Sequence, residues 1–247
     1  MVAVGTAFGA VAFAPIAFLA GSIEPRALVY AAPSVVAEVG YFLTLAAGYD
    51  RAPLSVVYPV ARGMAPVIVL VVSVVALGSG VSPLAALGVV GIALGVVLLR
   101  GLTRARRSDG VERGMAFGVA TAGFIATYTL LDSKALAYAD PLPYLEVVLA
   151  PTAVVMLAIV GRRRGLANLR RAATPGTLAA GIGIFAAYGL TLAALALGPV
   201  ALVAAVRESS VLLATAFAAI LLRERVDREG WIGACAVAGG IVAIAVS

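Results

Sequence analysis

The feature that most limits how this chain can fold is a succession of apolar runs, each about twenty residues long and apolar on every face. A run of this length can cross the hydrocarbon core of a bilayer as a helix. Hydrophobic residues make up 63% of the chain and charged residues 12%, whereas a soluble domain is about half apolar and about a quarter charged. A spanning β-barrel would need short segments of alternating polarity, which are not seen. The sequence therefore predicts an all-α polytopic membrane protein.

The apolar runs predict about nine transmembrane helices, joined by short connections that contain glycine, proline and aspartate. The segments lie at about 1–20, 30–48, 54–78, 83–101, 114–133, 142–160, 175–197, 199–222 and 230–247.

Basic residues are distributed unevenly between the predicted loops. The net charge is +6, but these residues lie in short loops between apolar runs, so no nucleic-acid partner is expected. Alternate loops hold fourteen basic residues, and the other set holds only Arg26 and Lys134. The positive-inside rule puts the basic loops in the cytoplasm and the C-terminus outside. Seventeen of the eighteen basic residues are arginine, which together with the abundant alanine, valine and glycine indicates a bacterial inner (cytoplasmic) membrane protein.

The residue types that are missing exclude several kinds of chemistry. The chain has no histidine and a single cysteine, Cys235, so histidine-based metal sites, Ser–His dyads and internal disulfides are excluded. It also contains no G-x4-G-K-[ST] phosphate-binding loop, so ATP is not expected to drive it. We expect no metal, no other cofactor and no enzymatic activity.

Two halves of the chain resemble each other. The stretch YFLTLAA at 41–47 returns as YGLTLAA at 188–194, an offset of 147 residues. Three further pairs match at an offset of 145: Arg62 with Arg207, Gly88 with Gly233, and Gly95 with Gly240. These matches indicate an ancient duplication. The Gly91-x3-Gly95 pair and the glycine-rich stretch 233–240 are expected to be close-packing surfaces between helices.

The duplication predicts the domain organisation. Residues 1–101 form a first repeat of four helices, 102–113 a basic linker, and 114–247 a second repeat of five helices. Five helices per repeat would make the two repeats inverted relative to each other, as in many secondary transporters. The first helix of the N-terminal repeat is then missing, through either a mispredicted start codon or a true nine-helix variant.

Arg62 is the only charged residue between Leu54 and Leu77. An arginine at mid-membrane costs about 2.5–3.5 kcal/mol on insertion scales, and Arg207 repeats that cost at the matching position. Two interpretations remain open. The arginines either line a polar cavity or lock helices by pairing with carboxylates. Arginines without a carboxylate in reach would favour transport, whereas fully paired arginines in a closed core would favour a scaffold.

Other polar residues in the spans complete the candidate site. Glu38 and Tyr41 share a helix face, Tyr58 precedes Arg62 by one turn, and carboxylates can carry a coupling proton. Near helix ends, tyrosines are otherwise interfacial belt residues. The candidate substrate-binding residues are Arg62, Arg207, Glu38, Tyr41, Tyr58, Tyr128 and Tyr188. The candidate coupling-ion residues are Glu38, Glu146 and Glu208.

Two long stretches resemble the ends of the two halves of EamA-type transporters, in the drug/metabolite transporter superfamily. They are APLSVVYPVARGMAPVIVLVVSVVALG with SPLAALGVVGIALGVVLL, and LALGPVALVAAVRESSVLLATAFAAILLRERVDREGWIGACAVAGGIVAI. Pro66 and Glu224 match positions of the family pattern, but Val211 stands where the second half would have its proline. The absent first helix and the external C-terminus also depart from that pattern.

The resemblance implies ten helices in two inverted repeats around a central cavity. It also implies alternating-access movement of small metabolites, amino acids or drugs, often as export. We therefore expect a secondary transporter, an exporter of an amino acid, organic anion or drug-like solute. Its partners would be that solute, the lipid bilayer and a second copy in a homodimer. The alternatives are a non-transporting scaffold or truncated inactive relative and, less favoured, a membrane-embedded lipid enzyme.

Overall fold

The structure is a computed structural model that describes residues 2–19, 21–52, 54–76, 78, 80–99, 111–210, 213 and 228–247. The described residues form ten helices and one isolated β-bridge. The helices are α1 (Val2–Leu19), α2 (Ala27–Tyr49), α3 (Leu54–Val75), α4 (Pro83–Leu99), α5 (Val111–Ala135), α6 (Pro141–Arg164), α7 (Leu166–Ala172), α8 (Pro175–Leu197), α9 (Val200–Val206) and α10 (Arg228–Ala245).

Five of these helices, α1, α2, α5, α6 and α8, are long and apolar enough to cross a membrane. The shorter apolar stretches Val60–Val75, Pro83–Leu98 and Trp231–Ile244 lie in α3, α4 and α10. Large aliphatic side chains such as Leu19, Leu190 and Leu197 are exposed, as expected where lipid rather than water covers the surface. The prediction of a helical, multi-pass membrane protein is confirmed, while the count of nine spans stays a prediction.

The structure differs from the predicted segments in two places. A short helix, α7, lies in the basic stretch that was predicted to be only a loop. Gly165 separates it from α6 with a φ of 79°, a left-handed conformation that glycine adopts at little cost. The predicted span 199–222 begins as α9, but that helix ends at Val206 and a turn follows at Arg207 and Glu208. Most of the rest of that span, with Val211, lies outside the described residues, as do Glu224 and most of the linker.

The chain forms two compact units. Unit 1 comprises Met1–Val39 and Leu130–Leu197, and unit 2 comprises Gly40–Thr129 and Gly198–Ser247. Each unit combines segments from both predicted repeats. Sequence repeats and compact units are different divisions of a chain, so the repeat boundaries stay predictions.

In unit 1, α1 packs against α6 and α8. Gly5 allows the close approach of α1 and α8, because a Cβ on it would lie 2.9 Å from the carbonyl oxygen of Thr177. One helical turn further on, a Cβ on Gly9 would meet the ring of Phe185. That ring is fully buried and stacks on Phe13 with 5.5 Å between centroids. Small and aromatic residues thus alternate along this helix pair, as expected for helices that must pack without a hydrophobic driving force.

In unit 2, α4 packs against α10 and α3, and α9 packs against α3 and α4. The repeat-matched glycines meet crosswise. A Cβ on Gly88 would lie 2.7 Å from the carbonyl oxygen of Gly240, and one on Gly95 would lie 2.6 Å from that of Gly233. The earlier glycine of α4 meets the later glycine of α10, and the later meets the earlier, so α4 and α10 run antiparallel. Close packing is therefore confirmed at Gly95 and Gly240, whereas a Cβ on Gly91 would make only ordinary van der Waals contact, 3.7 Å from the nearest atom.

We expect Gly240→Ala to lower the stability of the protein. The new methyl group would lie 2.5 Å from the carbonyl oxygen of Gly88, and overpacking of this kind costs about 1–3 kcal/mol. The matched control is Gly239→Ala on the same helix, where a Cβ meets no heavy atom within 4 Å. The midpoint of thermal unfolding of the purified protein should fall for the first variant and stay level or rise for the second. Equal midpoints would show that the α4–α10 contact is not tight.

Candidate functional site

In unit 2, two arginines share one buried glutamate. The Glu208 side chain is 1% exposed, and its Oε1 accepts a hydrogen bond from Arg62 Nη1 at 3.2 Å. The same oxygen lies 3.9 Å from Arg207 Nε. The arginine side chains are 23% and 18% exposed, respectively. A single carboxylate oxygen therefore lies within ion-pair distance of two cations, and both cations remain partly exposed.

Arg207 and Glu208 form the turn that follows α9. The N–H of Arg207 donates to the carbonyl of Val203, four residues back, whereas that of Glu208 donates to Ala205, three residues back. A three-residue step tightens the last turn of a helix. The turn at Arg207 and Glu208 is therefore tighter than the helix that precedes it.

Tyrosines lie beside both arginines. The Arg62 guanidinium carbon lies 5.5 Å from the centre of the Tyr58 ring, one turn earlier on α3. That of Arg207 lies 6.0 Å from the Tyr128 ring, and its Nη2 donates to the Tyr128 hydroxyl at 3.4 Å. Tyr128 in turn meets Tyr41 edge-to-face at 6.2 Å. We refer to Arg62, Arg207, Glu208, Tyr58 and Tyr128 as the arginine cluster.

The arginine cluster has unused hydrogen-bonding capacity. A guanidinium has five N–H donors, and each of these two makes one hydrogen bond to the described residues. Arg207 Nε and Glu208 Oε2 are buried and have no hydrogen-bond partner among those residues. With Glu208 ionised, the two arginines and the glutamate carry a net charge of +1. The cluster can therefore accept a further anionic oxygen group, and its arginines are neither without a carboxylate nor fully paired.

A second polar cluster lies in unit 1, around the fully buried Asp132. Its Oδ1 accepts hydrogen bonds from Ser34 at 2.6 Å and from Tyr144 at 2.8 Å, and its Oδ2 accepts one from Tyr188. These donors come from α2, α6 and α8, so the carboxylate joins three helices to α5. Tyr188, predicted to bind substrate, is here a partner of Asp132. Neither Ser34 nor Tyr144 carried a sequence signal, because residues so distant in the chain share no periodicity.

The remaining predicted carboxylates, Glu38 and Glu146, are both buried in unit 1. Among the described residues, Glu146 Oε2 has no hydrogen-bond partner. The described residues include no group of three or more acidic or cysteine side chains that could hold a metal ion. Six predicted residues thus lie in unit 2 (Arg62, Arg207, Glu208, Tyr41, Tyr58 and Tyr128) and three in unit 1 (Glu38, Glu146 and Tyr188).

Comparison with known proteins identifies the family. The model of the EamA-like transporter family matches residues 112–246, which is more than half of the chain. The chain belongs to this family. EamA-like proteins are transporters rather than enzymes, so this chain is a multi-pass membrane protein of a transporter family. The expected membership of the drug/metabolite transporter superfamily is confirmed.

A solved structure supports the fold of this EamA-like chain. Described only as "Crystal structure of protein", it superposes with a TM-score of 0.80 at 15% sequence identity. The match covers 99% of this chain and 87% of the other. At that identity the likeness shows the fold alone. No curated protein matches the chain.

We expect Tyr144→Phe to destabilise the protein through the Asp132 cluster. The substitution removes one buried hydroxyl donor from a carboxylate, and a hydrogen bond to a charged group contributes about 1.5–3 kcal/mol. Tyr138→Phe is the matched control, since that ring stacks on Tyr30 and its hydroxyl makes no hydrogen bond to the described residues. Thermal unfolding should separate the two variants clearly. A Tyr144→Phe midpoint equal to that of Tyr138→Phe would contradict a structural role for this bond.

Proposed function

We propose that this EamA-like protein is a secondary transporter of a small anionic metabolite, whose carboxylate or phosphate binds Arg62 and Arg207. The observation that carries the proposal is the shared use of one Glu208 oxygen by two partly exposed arginines. Guanidinium groups bind carboxylates and phosphates through paired, parallel hydrogen bonds. The unused donors of the arginine cluster fit such a ligand.

The free-energy cost of placing two arginines inside the membrane supports this proposal. Each charge is expensive inside a membrane, and ionisable residues that persist there generally face a cavity or mark a substrate path. If the arginines served only to join helices, apolar residues of similar volume would do so at no greater cost. The excess positive charge and the partial exposure of the arginines suit the recognition of an anion.

The packing of unit 2 supports alternating access by two inverted repeats. In a two-fold arrangement, a residue of one repeat contacts a different residue of the other, and the reverse contact also occurs. Gly88 with Gly240 and Gly95 with Gly233 follow that rule, because Gly88 matches Gly233 and Gly95 matches Gly240. In our proposal the repeats, at 1–101 and 114–247, rock around a site near the midplane. The helix break at Arg207 belongs at such a site, since interrupted helices form the binding sites of many transporters.

The proposed direction of transport rests on the family resemblance, and the loop charges support only the orientation of the helices. We propose export from the bacterial cytoplasm across the inner membrane, with an amino acid, an organic anion or an anionic drug-like solute as cargo. Arg162, Arg163 and Arg164 end α6, and Arg170 and Arg171 lie in α7. These five arginines would face the cytoplasm under the positive-inside rule. An ion gradient or exchange would drive transport. We further propose that the protein forms a homodimer.

The competing function is a membrane scaffold, which the Arg62–Glu208 pair favours. Ligand-induced thermal stabilisation of the purified protein separates the two functions. The ligands are acetate, methanesulfonate, succinate and inorganic phosphate, with tetraphenylphosphonium as a cation of opposite charge. The variants are Arg62→Ala and Arg207→Ala. The control is Arg51→Ala, an exposed arginine that packs over Phe117 outside the cluster.

We expect at least one anion to stabilise the wild type and Arg51→Ala. Removing either cluster arginine should weaken binding at least tenfold, since a hydrogen bond to a charged group contributes about 1.5–3 kcal/mol. The stabilising anion should then be taken up by proteoliposomes that contain the wild type, and not by those that contain Arg62→Ala. If no anion binds and both cluster variants only melt earlier, the scaffold function replaces this proposal.

A further inference from the structure

The position of Glu208 points to how the transporter is coupled. This inference rests on the proposed anion transport. We propose that the substrate anion displaces the Glu208 carboxylate from the two arginines, and that the displaced carboxylate takes up one proton. The protein would then carry one proton in the same direction as each monoanionic substrate, so export would be driven by the substrate's own gradient or by exchange rather than by the inward proton gradient.

Glu208 occupies the position between the two guanidinium groups from which one oxygen can contact both of them. Its Oε1 lies within reach of both Arg62 Nη1 and Arg207 Nε. A ligand oxygen bridging the two guanidinium groups would have to take the place of Oε1. Two carboxylates on the same donors repel each other in a low-dielectric site, and the usual result is that one of them binds a proton. The buried Oε2, which has no hydrogen-bond partner among the described residues, is an atom that can accept it.

The exchange also leaves the charge of the buried cluster unchanged. At rest, two arginines and one ionised glutamate carry a net charge of +1. After exchange, two arginines, a neutral glutamic acid and a monoanionic substrate carry the same +1. The membrane-embedded site therefore gains no charge as it loads. A proton from water forms an O–H bond on the carboxylate during loading and returns to water when the substrate leaves.

Within the part of the chain that the structure describes, no other group around the arginine cluster fits this role. Its surroundings provide Arg62 and Tyr58 from α3, Arg207 from the turn itself, Tyr128 from α5 and Tyr41 from α2. Arginine stays protonated in proteins, and tyrosine ordinarily titrates near pH 10.

The helices that pack on α9 supply no alternative from their own sequences. The sequence of α4 holds no titratable residue, and that of α10 holds Arg228, Glu229 and the exposed Cys235. Among the described residues, Glu208 is therefore the group of the arginine cluster to which this proposal assigns the proton.

Proton uptake on binding tests the proposal without any variant. Methanesulfonate is added to the purified full-length protein in weak buffer with a pH indicator. This anion stays ionised throughout the range used, so protons that disappear are bound by the protein. We expect close to one proton per bound methanesulfonate at alkaline pH. Its affinity should fall about tenfold per pH unit in that range, since each binding event requires one proton.

Glu208→Gln identifies the residue that takes up the proton. The amide keeps the size of the side chain but cannot ionise. The variant should bind methanesulfonate without proton uptake, with an affinity that does not vary with pH and exceeds that of the wild type at alkaline pH. Glu208→Asp should restore both the uptake and the pH dependence.

The outcomes separate this inference from the proposed function. If the wild type binds methanesulfonate without proton uptake, or Glu208→Gln binds it more weakly than the wild type, Glu208 only positions the arginines and the inference is wrong. Anion binding at the arginines would still stand in both cases. If the wild type binds none of the four anions, the proposed function itself fails.

Discussion

The contact between Arg62 and Glu208 is the interaction on which the rest of unit 2 depends. A glutamate that is 1% exposed inside an apolar protein is tolerable only with a cation beside it, because an isolated buried charge is very costly. The contact joins α3 to the turn that follows α9. It therefore determines which N–H donors of Arg62 remain for a ligand.

The sequence predicted the features that are encoded in neighbouring residues, but not the contacts between residues that are far apart in the chain. Apolar runs predicted a helical membrane protein, and the repeat matched Arg62 with Arg207 and located the glycines that join α4 to α10. The sequence could not predict that Glu208 would pair with Arg62, because the two residues are 146 positions apart in the chain and no local pattern links them. The Asp132 cluster was hidden for a related reason, since its donors lie on three other helices and follow no periodicity.

The matched tyrosines show that a duplicated sequence can acquire two uses. Tyr41 lies in unit 2, edge-on to Tyr128, whereas Tyr188 lies in unit 1 and donates to Asp132. Each keeps a polar end among apolar neighbours, which is how tyrosine is used when buried. In unit 1 the Tyr188 hydroxyl donates to Asp132, a carboxylate that joins helices. The tyrosine pattern common to both halves therefore encoded a polar position rather than a shared ligand.

The arginine cluster breaks the symmetry of the repeat in a way that the packing explains. The offset that matches Arg62 with Arg207 matches Gly63 with Glu208. A Cβ on Gly63 would lie 2.9 Å from the carbonyl oxygen of Ala93, so this position lacks room for a carboxylate while α3 stays close to α4. Two repeat-related arginines must therefore share one glutamate. That shortage of negative charge is a consequence of close helix packing, and it creates the net positive charge that an anionic solute would neutralise.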